Sequence, residues 1–80
     1  MTIDPDDLDA PWLQLLAILR QRIADGTYAP GKRIPSLVDL EEEFGLNAKT
    51  VKKAVDQLKD DGLVVTSPGR GTFVQRTDPE

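Results

Sequence analysis

The chain has 80 residues, with ten basic and fourteen acidic side chains and a formal net charge of −4 at pH 7. This length suits one domain with a small core. The sequence has no cysteine and no histidine, which excludes disulfides, thiolate or imidazole metal sites and imidazole catalysis. No apolar run approaches the roughly 20 residues that span a bilayer, and no signal-peptide pattern is present. We therefore expect a soluble cytoplasmic protein.

The chain begins with an acidic stretch, and a first helix follows it. Residues 1–10 have little to bury, so we predict a flexible arm rather than a carboxylate metal site, which needs a defined loop geometry. Residues 11–25 predict a helix, because Pro11 suits a first turn and Gly26 an end. The predicted core stripe is Trp12, Leu15, Leu16, Leu19 and Ile23. Leu13 and Ile18 lie off this stripe, and they either widen the buried face or form a self-association surface.

The segment Gly26–Arg33 has the glycine and lysine spacing of a phosphate-binding loop. Arg33 stands where that loop carries Ser or Thr, and the segment follows a helix instead of a strand. We therefore reject a nucleotide site. The segment is interpreted as a loop in which Tyr28 packs against the protein, followed by a short extended piece at residues 33–34.

Ser36 predicts the start of a second helix, because Asp39 three residues later gives a capping-box-like pattern. The buried face of this helix is predicted to be Leu37, Leu40 and Phe44. The run Glu41–Glu43 is interpreted as solvated charge rather than a catalytic pair, since nothing near it would polarise a substrate. Gly45 and Leu46 then make a turn.

Asn47 is predicted to cap a third helix over residues 47–60, which Gly62 ends. Its core face has helical spacing and consists of Val51, Ala54, Val55 and Leu58. Its opposite face runs from basic to acidic: Lys49, Lys53, Asp56 and Asp60, with Lys52 at the flank. This order opposes the helix dipole, which costs some tenths of a kcal/mol per charge and indicates a binding site. A solvated face with ordinary charge pairs is the alternative.

Two runs rich in β-branched residues, 63–67 and 72–75, predict a tight hairpin with its tip at 68–71. Arg70 in this tip is either a solvated residue or a contact to phosphate or to a narrow minor groove. Residues 47–76 carry six basic against three acidic side chains, whereas the remaining residues carry a net charge of −7. The pattern predicts a mainly α winged helix-turn-helix over residues 11–75 that binds double-stranded DNA, followed by a flexible tail at 76–80.

In the order and spacing of several short pieces, the chain resembles the N-terminal DNA-binding domain of the GntR family of bacterial transcription regulators. The pieces are 11–15, 28–36, Leu40, 44–46, 50–51, Ala54, 61–64 and 68–74. Residues 47–51 are most similar to the Asn-Pro-Asn-Thr-Val version of the YtrA-type subfamily. The resemblance implies a three-helix winged fold whose third helix enters the major groove and whose wing, residues 68–72, reaches the adjacent minor groove.

Carried over by position, the resemblance implies ten DNA-contacting residues. They are Ser36, Asn47, Lys49, Thr50, Lys52, Lys53, Gly69, Arg70, Gly71 and Thr72. The chain departs from the family pattern at residues 37–38, where Leu-Val replaces a frequent Glu-Arg, and at Ala48 and Lys52, where arginine is common. Lysine is a point charge rather than a planar fork. We therefore expect affinity to rest on phosphates and shape, with weak base discrimination.

The resemblance implies a transcription regulator, most often a repressor, that binds double-stranded DNA without a metal or another cofactor. Only residues 76–80 follow the wing, so we expect no effector domain and no small-molecule pocket, whether the chain is an excised domain or a small stand-alone regulator. A stand-alone regulator would act as a homodimer or with a partner protein, through apolar positions such as Leu13, Ile18 and Val38. The alternative is a winged-helix protein–protein interaction module without DNA binding, which the acidic charge and the missing arginines favour. We expect no enzymatic activity.

Overall fold

The computed structural model describes residues 3, 4, 6 and 8–75. These residues form three helices and an antiparallel hairpin: α1 (Pro11–Ala24), α2 (Leu37–Phe44), α3 (Ala48–Asp60), β1 (Val64–Ser67) and β2 (Gly71–Val74). The strands pair in register from Val64 opposite Val74 to Ser67 opposite Gly71. This architecture confirms the predicted winged helix-turn-helix.

Helix α1 buries most of its predicted stripe. Leu15, Leu16 and Leu19 are buried, while Trp12 and Ile23 are partly buried against the same core. Ile18 is only 6% exposed, whereas Leu13 is 39% exposed. The suggestion of Ile18 as a self-association position is therefore wrong, because its side chain is buried within the domain. Of the two suggested α1 positions, Leu13 remains accessible.

Helix α2 begins with the capping box that the sequence predicts. The Ser36 hydroxyl oxygen accepts from the Asp39 backbone N–H at 3.1 Å, and the Ser36 N–H donates to the Asp39 carboxylate at 3.4 Å. Leu40 is fully buried and Phe44 is partly buried, but Leu37 is 38% exposed. The predicted burial of Leu37 is wrong, because this residue is the first of the helix and lines an open groove instead of the core.

Helix α3 packs on α1 and α2 through the face that its periodicity predicts. Asn47 caps it, since the side-chain oxygen accepts from the Thr50 N–H at 2.9 Å. All four core-face residues are buried: Val51, Ala54, Val55 and Leu58. They join apolar residues of α1, α2 and the hairpin in one core. Burial of this face leaves the polar face of α3 turned to solvent.

The loop between α1 and α2 contains the short extended piece that the sequence predicts at residues 33–34. In the structure, this piece pairs with the hairpin. The Ile34 N–H donates to the Thr72 carbonyl, and the Val74 N–H donates to the Lys32 carbonyl, both at 2.9 Å. Arg33 lies opposite Phe73 in this bridge. The segment therefore covers the outer edge of β2, and it ties the wing to the start of α2.

An aromatic and ionic cluster joins the end of α1 to α2. The Arg22 guanidinium donates to the Glu43 carboxylate at 2.7 Å and to the Tyr28 hydroxyl at 2.6 Å. Its carbon also lies 5.7 Å and 5.2 Å from the ring centroids of Tyr28 and Phe44. The hydrogen bond from Arg22 is the main cause that lowers the pKa of Glu43 below its ordinary value.

This cluster predicts an acid-dependent contribution to stability. A carboxyl whose pKa is lower in the folded state stabilises the protein above its unfolded pKa of about 4.3, and this contribution is lost as the pH falls through the folded pKa. Because the Glu43 side chain is 43% exposed, we expect Glu43→Gln to lower the free energy of unfolding at pH 7 by only about 0.5–1 kcal/mol. Urea denaturation at pH 7 and pH 3 measures the difference, which should shrink at pH 3.

The matched control is Glu42→Gln, at an exposed neighbouring position of the same helix. It should change the stability less than Glu43→Gln does at pH 7. An equal loss for Glu43→Gln at both pH values would contradict the assigned role of the ionised carboxylate.

The described part of the N-terminal stretch is bonded to α1. The Asp4 N–H donates to the Gln14 side-chain oxygen, and the Gln14 amide donates to the Asp4 carbonyl, both at 2.7 Å. Ile3 packs against the core. The flexible arm at 1–10 stays a prediction, and its residues 1, 2, 5 and 7 lie outside the described residues, as does the whole predicted tail at 76–80.

Candidate nucleic-acid interface

The polar face of α3 is one of the surfaces that hold the predicted site residues. Asn47, Lys49, Lys52 and Lys53 are exposed, and Thr50 is partly exposed. A shallow depression on this face is lined by Lys49, Lys52, Lys53, Asp56, Gln57 and Asp60. The structure therefore brings the three predicted lysines together.

The three lysines differ in the interactions that their ammonium groups make within the protein. Lys52 donates to Asp56 at 2.7 Å, and this hydrogen bond is the main cause that lowers the pKa of Asp56. The Lys53 ammonium lies 4.5 Å from the centroid of the Trp12 ring in α1, which is a cation–π distance. Lys49 forms no ion pair with any residue that the structure describes. Its charge is therefore the most available of the three.

The two capping side chains at the helix starts keep hydrogen-bond donors for a ligand. The Ser36 oxygen and the Asn47 side-chain oxygen are each engaged as acceptors from their own helix. The Ser36 hydroxyl hydrogen and the Asn47 NH₂ group are separate donors. Both residues can therefore cap a helix and donate to a phosphate oxygen at the same time.

The wing tip is a tight turn that presents Arg70. The Arg70 N–H donates to the Ser67 carbonyl at 3.0 Å, and Gly69 has a φ of +76°. Proline at the second turn position and a left-handed glycine at the third fit a type II turn. The Arg70 side chain is exposed and, among the described residues, has no ion pair.

The second surface is a groove of about 380 Å³ between the wing and the start of α2. Its lining includes three predicted site residues: Ser36, Gly71 and Thr72. It shares no lining residue with the depression on α3. The site therefore consists of an α3 face and a wing-side groove rather than one pocket.

Arg33 also lines this groove, and it is not among the residues predicted from the sequence to contact DNA. Its guanidinium donates to the Arg70 backbone carbonyl at 3.2 Å. Alternation with the buried Ile34 indicates that Arg33 faces outward. The sequence near Arg33 does not predict its contact with the wing, because Arg33 and Arg70 are 37 positions apart.

The described residues offer no sign of a metal centre or a membrane span. In the ranges 3–4, 6 and 8–75, no three acidic side chains come close enough together to hold a metal ion. No helix within that part of the chain has the length and apolarity to cross a bilayer.

Comparison with known proteins places this geometry among bacterial regulators. The family model described as "Bacterial regulatory proteins, gntR family" matches residues 12–74. The chain is 35% identical over 71 residues to the histidine utilization repressor of Klebsiella aerogenes, covering 88% of this chain and 30% of that protein. The first curated relatives are likewise much longer, since the chain spans 25% to 30% of their length.

Two solved structures show the same architecture. YtrA from Sulfolobus acidocaldarius, a GntR-family transcription factor, superimposes with a TM-score of 0.87 at 29% identity, over 100% of this chain and 68% of that one. The AraR DNA-binding domain in complex with operator ORX1 superimposes with a TM-score of 0.83 at 28% identity, over 92% of each chain.

Proposed function

Because the chain belongs to the GntR family of bacterial regulatory proteins, we propose that it is a transcription regulator that binds specific sites on double-stranded DNA and represses transcription. One observation carries this proposal. Helix α3 buries one whole face and presents lysines on the other, beside a wing whose Arg70 has no ion pair among the described residues, in a fold similar to a domain bound to its operator. We propose repression because relatives of the chain are repressors, among them NagR of Bacillus subtilis.

In the proposed complex, the N-terminal turns of α3 enter the major groove. Recognition helices contact base edges through their first turns, and here those turns carry Asn47, Lys49 and Thr50. Lys52 and Lys53 add charge near the backbone, while the acidic end of α3 points away from the duplex. Ser36 and Asn47 donate to phosphates on either side of the groove.

The wing contacts the adjacent minor groove in this arrangement. Gly69, Gly71 and Thr72 shape the tip, and Arg70 inserts the charge that a narrow, electronegative groove attracts. Base discrimination rests mainly on Lys49, since residues 37–38 and Ala48 lack the arginines common in the family. A second copy of the chain, bound one helical turn away, would supply the missing half-site contacts. Such a regulator acts in the cytoplasm.

Selection of duplexes from a random-sequence pool, at low and at physiological salt, tests the proposal. We expect a palindromic site to be enriched, since two copies related by two-fold symmetry read inverted half-sites. With about four to six phosphates neutralised per protomer, log K should fall with log salt at a slope of about −4 to −5.

A selection that enriches no duplex even at low salt would contradict the proposal. It would favour the second candidate, a winged-helix module that contacts another protein. One observation supports that candidate: Leu37 and Val38 at the start of α2 are 38% and 59% exposed.

A further inference from the structure

The side chain of Arg33 runs from the level of Phe73 in β2 to the wing tip. Its backbone lies opposite Phe73 at the outer edge of β2. Its guanidinium donates to the carbonyl oxygen of Arg70 at 3.2 Å. The strand segment and the turn are therefore joined by one side chain that comes from outside the hairpin.

The Arg33 side chain passes close to Gly71 and leaves no room for a side chain there. A Cβ atom built on Gly71 would lie 2.7 Å from Cδ of Arg33, and the φ of Gly71 is +121°. The arginine stem therefore occupies the space that any other residue would fill with its side chain. The glycine at position 71 therefore makes room for the Arg33 side chain, in addition to its predicted contact with DNA.

The backbone hydrogen bonds between residues 32–34 and β2 extend to Thr72 and do not reach the turn at the tip. Each strand has only four residues, and an isolated two-stranded hairpin is at best marginally stable in water. Within the turn, the Arg70 N–H bonds the Ser67 carbonyl, and the Arg70 carbonyl accepts from Arg33. The backbone of Arg70 is thus held on both sides of its α-carbon.

We propose that Arg33 is a positioning residue for the wing: it anchors the backbone of Arg70 so that the Arg70 side chain is presented to the duplex. Only the expected effect on DNA binding rests on the proposed function. The anchoring itself is a property of the free protein. Arg33 acts through Arg70, so its contribution should depend on the presence of the Arg70 side chain.

Arg33→Met keeps an unbranched stem over Gly71 but removes the guanidinium donor. In the free protein, we expect amide hydrogen exchange of Arg70 to rise about three- to tenfold, the range that loss of one net hydrogen bond permits, while exchange in α3 stays unchanged. Lys32→Met is the matched control. It removes the same charge from the neighbouring exposed position and should leave Arg70 exchange unaltered. Arg33→Lys, which restores a donor on a long stem, should recover part of the protection.

The effect on DNA binding is tested by a double-mutant cycle that combines Arg33→Met with Arg70→Gln. Arg33→Met should weaken duplex binding about three- to tenfold in the wild-type background, and less than about twofold when Arg70 is already Gln. An equal loss in both backgrounds would show a direct phosphate contact by Arg33 and overturn the proposal. Unchanged Arg70 exchange in Arg33→Met would overturn it as well. If the wild-type chain binds no duplex, the proposed function fails, and the exchange data still decide the anchoring.

Discussion

Neutralising Lys49 and Arg70 together, as Lys49→Gln with Arg70→Gln, is expected to weaken duplex binding about 100-fold at physiological salt. Each contact removed accounts for about tenfold, the lower part of the range for a good base or phosphate contact. These two cations are exposed and form no ion pair among the described residues. Binding to DNA therefore gains their full charge without first breaking an internal pair.

The same double change should also flatten the salt dependence. A cation placed in a groove also offsets the charge of the flanking phosphates. Each phosphate charge that is no longer offset removes about 0.9 from the slope of log K against log salt, so loss of both cations should make the slope shallower by up to about 2. Titration of the selected duplex at several salt concentrations measures both quantities. Lys52→Gln should have a smaller effect than Lys49→Gln, because Asp56 already offsets the charge of Lys52.

Lys59→Gln is the matched control for the Lys49→Gln part of this experiment. It removes one positive charge from the same helix, as Lys49→Gln does, but in the last turn, next to Asp56. We expect it to change affinity less than about threefold, mainly through long-range charge. A loss equal to that of Lys49→Gln alone would mean that binding follows net charge and not a defined face of α3.

Neither substitution in the double variant should disturb the fold. Surface changes away from buried contacts usually alter stability by less than about 0.5 kcal/mol. An unchanged circular dichroism spectrum and thermal midpoint would show that the lost affinity comes from the interface itself.

Leu58→Ala is expected to produce the largest loss of stability, about 2–5 kcal/mol in the free energy of unfolding. Leu58 is fully buried on the core face of α3. Its removal leaves a cavity and lost contacts that the surrounding helices only partly fill. Small domains lie at the low end of the usual range of about 5–15 kcal/mol. A considerable fraction of Leu58→Ala should therefore be unfolded at 37 °C, with DNA affinity falling in proportion to the folded fraction.

Urea denaturation of Leu58→Ala and of Leu13→Ala tests this expectation. Both variants remove the same atoms, but Leu13 is 39% exposed on α1 and should cost less than about 1 kcal/mol. Similar midpoints for the two variants would contradict the assignment of Leu58 to the core. If Leu58→Ala is stable yet loses DNA binding, the residue acts on the position of α3 instead of on global stability.

The resemblance to a known family supplied the list of ten candidate contacts, which stays a prediction until such variants are measured. In the structure, the cationic residues of that list differ in whether another residue already interacts with their charge. Lys53 lies over the Trp12 ring and Lys52 bonds Asp56, whereas Lys49 and Arg70 are unpaired in the described chain. No pattern within α3 alone indicated the contact between Lys53 and a residue of α1.

The sequence by itself determined the features that depend on neighbours within about four positions. The caps at Ser36 and Asn47, the core face of α3 and the tight wing turn all follow from helical spacing and backbone preference. These interactions need no knowledge of what the helix or hairpin packs against. For that reason, their bounds in the structure agree closely with the pattern.

Tertiary structure alone decided the features that join distant parts of the chain. Leu37 is exposed although its spacing predicts burial, because burial depends on which element covers a face. For the same reason, only the structure decides between the two alternatives for Ile18, which is buried. Arg33 reaches Arg70 across 37 positions, and it does so through space left open by Gly71. Such contacts depend on how strands and helices pack together, and the spacing of residues along the chain does not predict that packing.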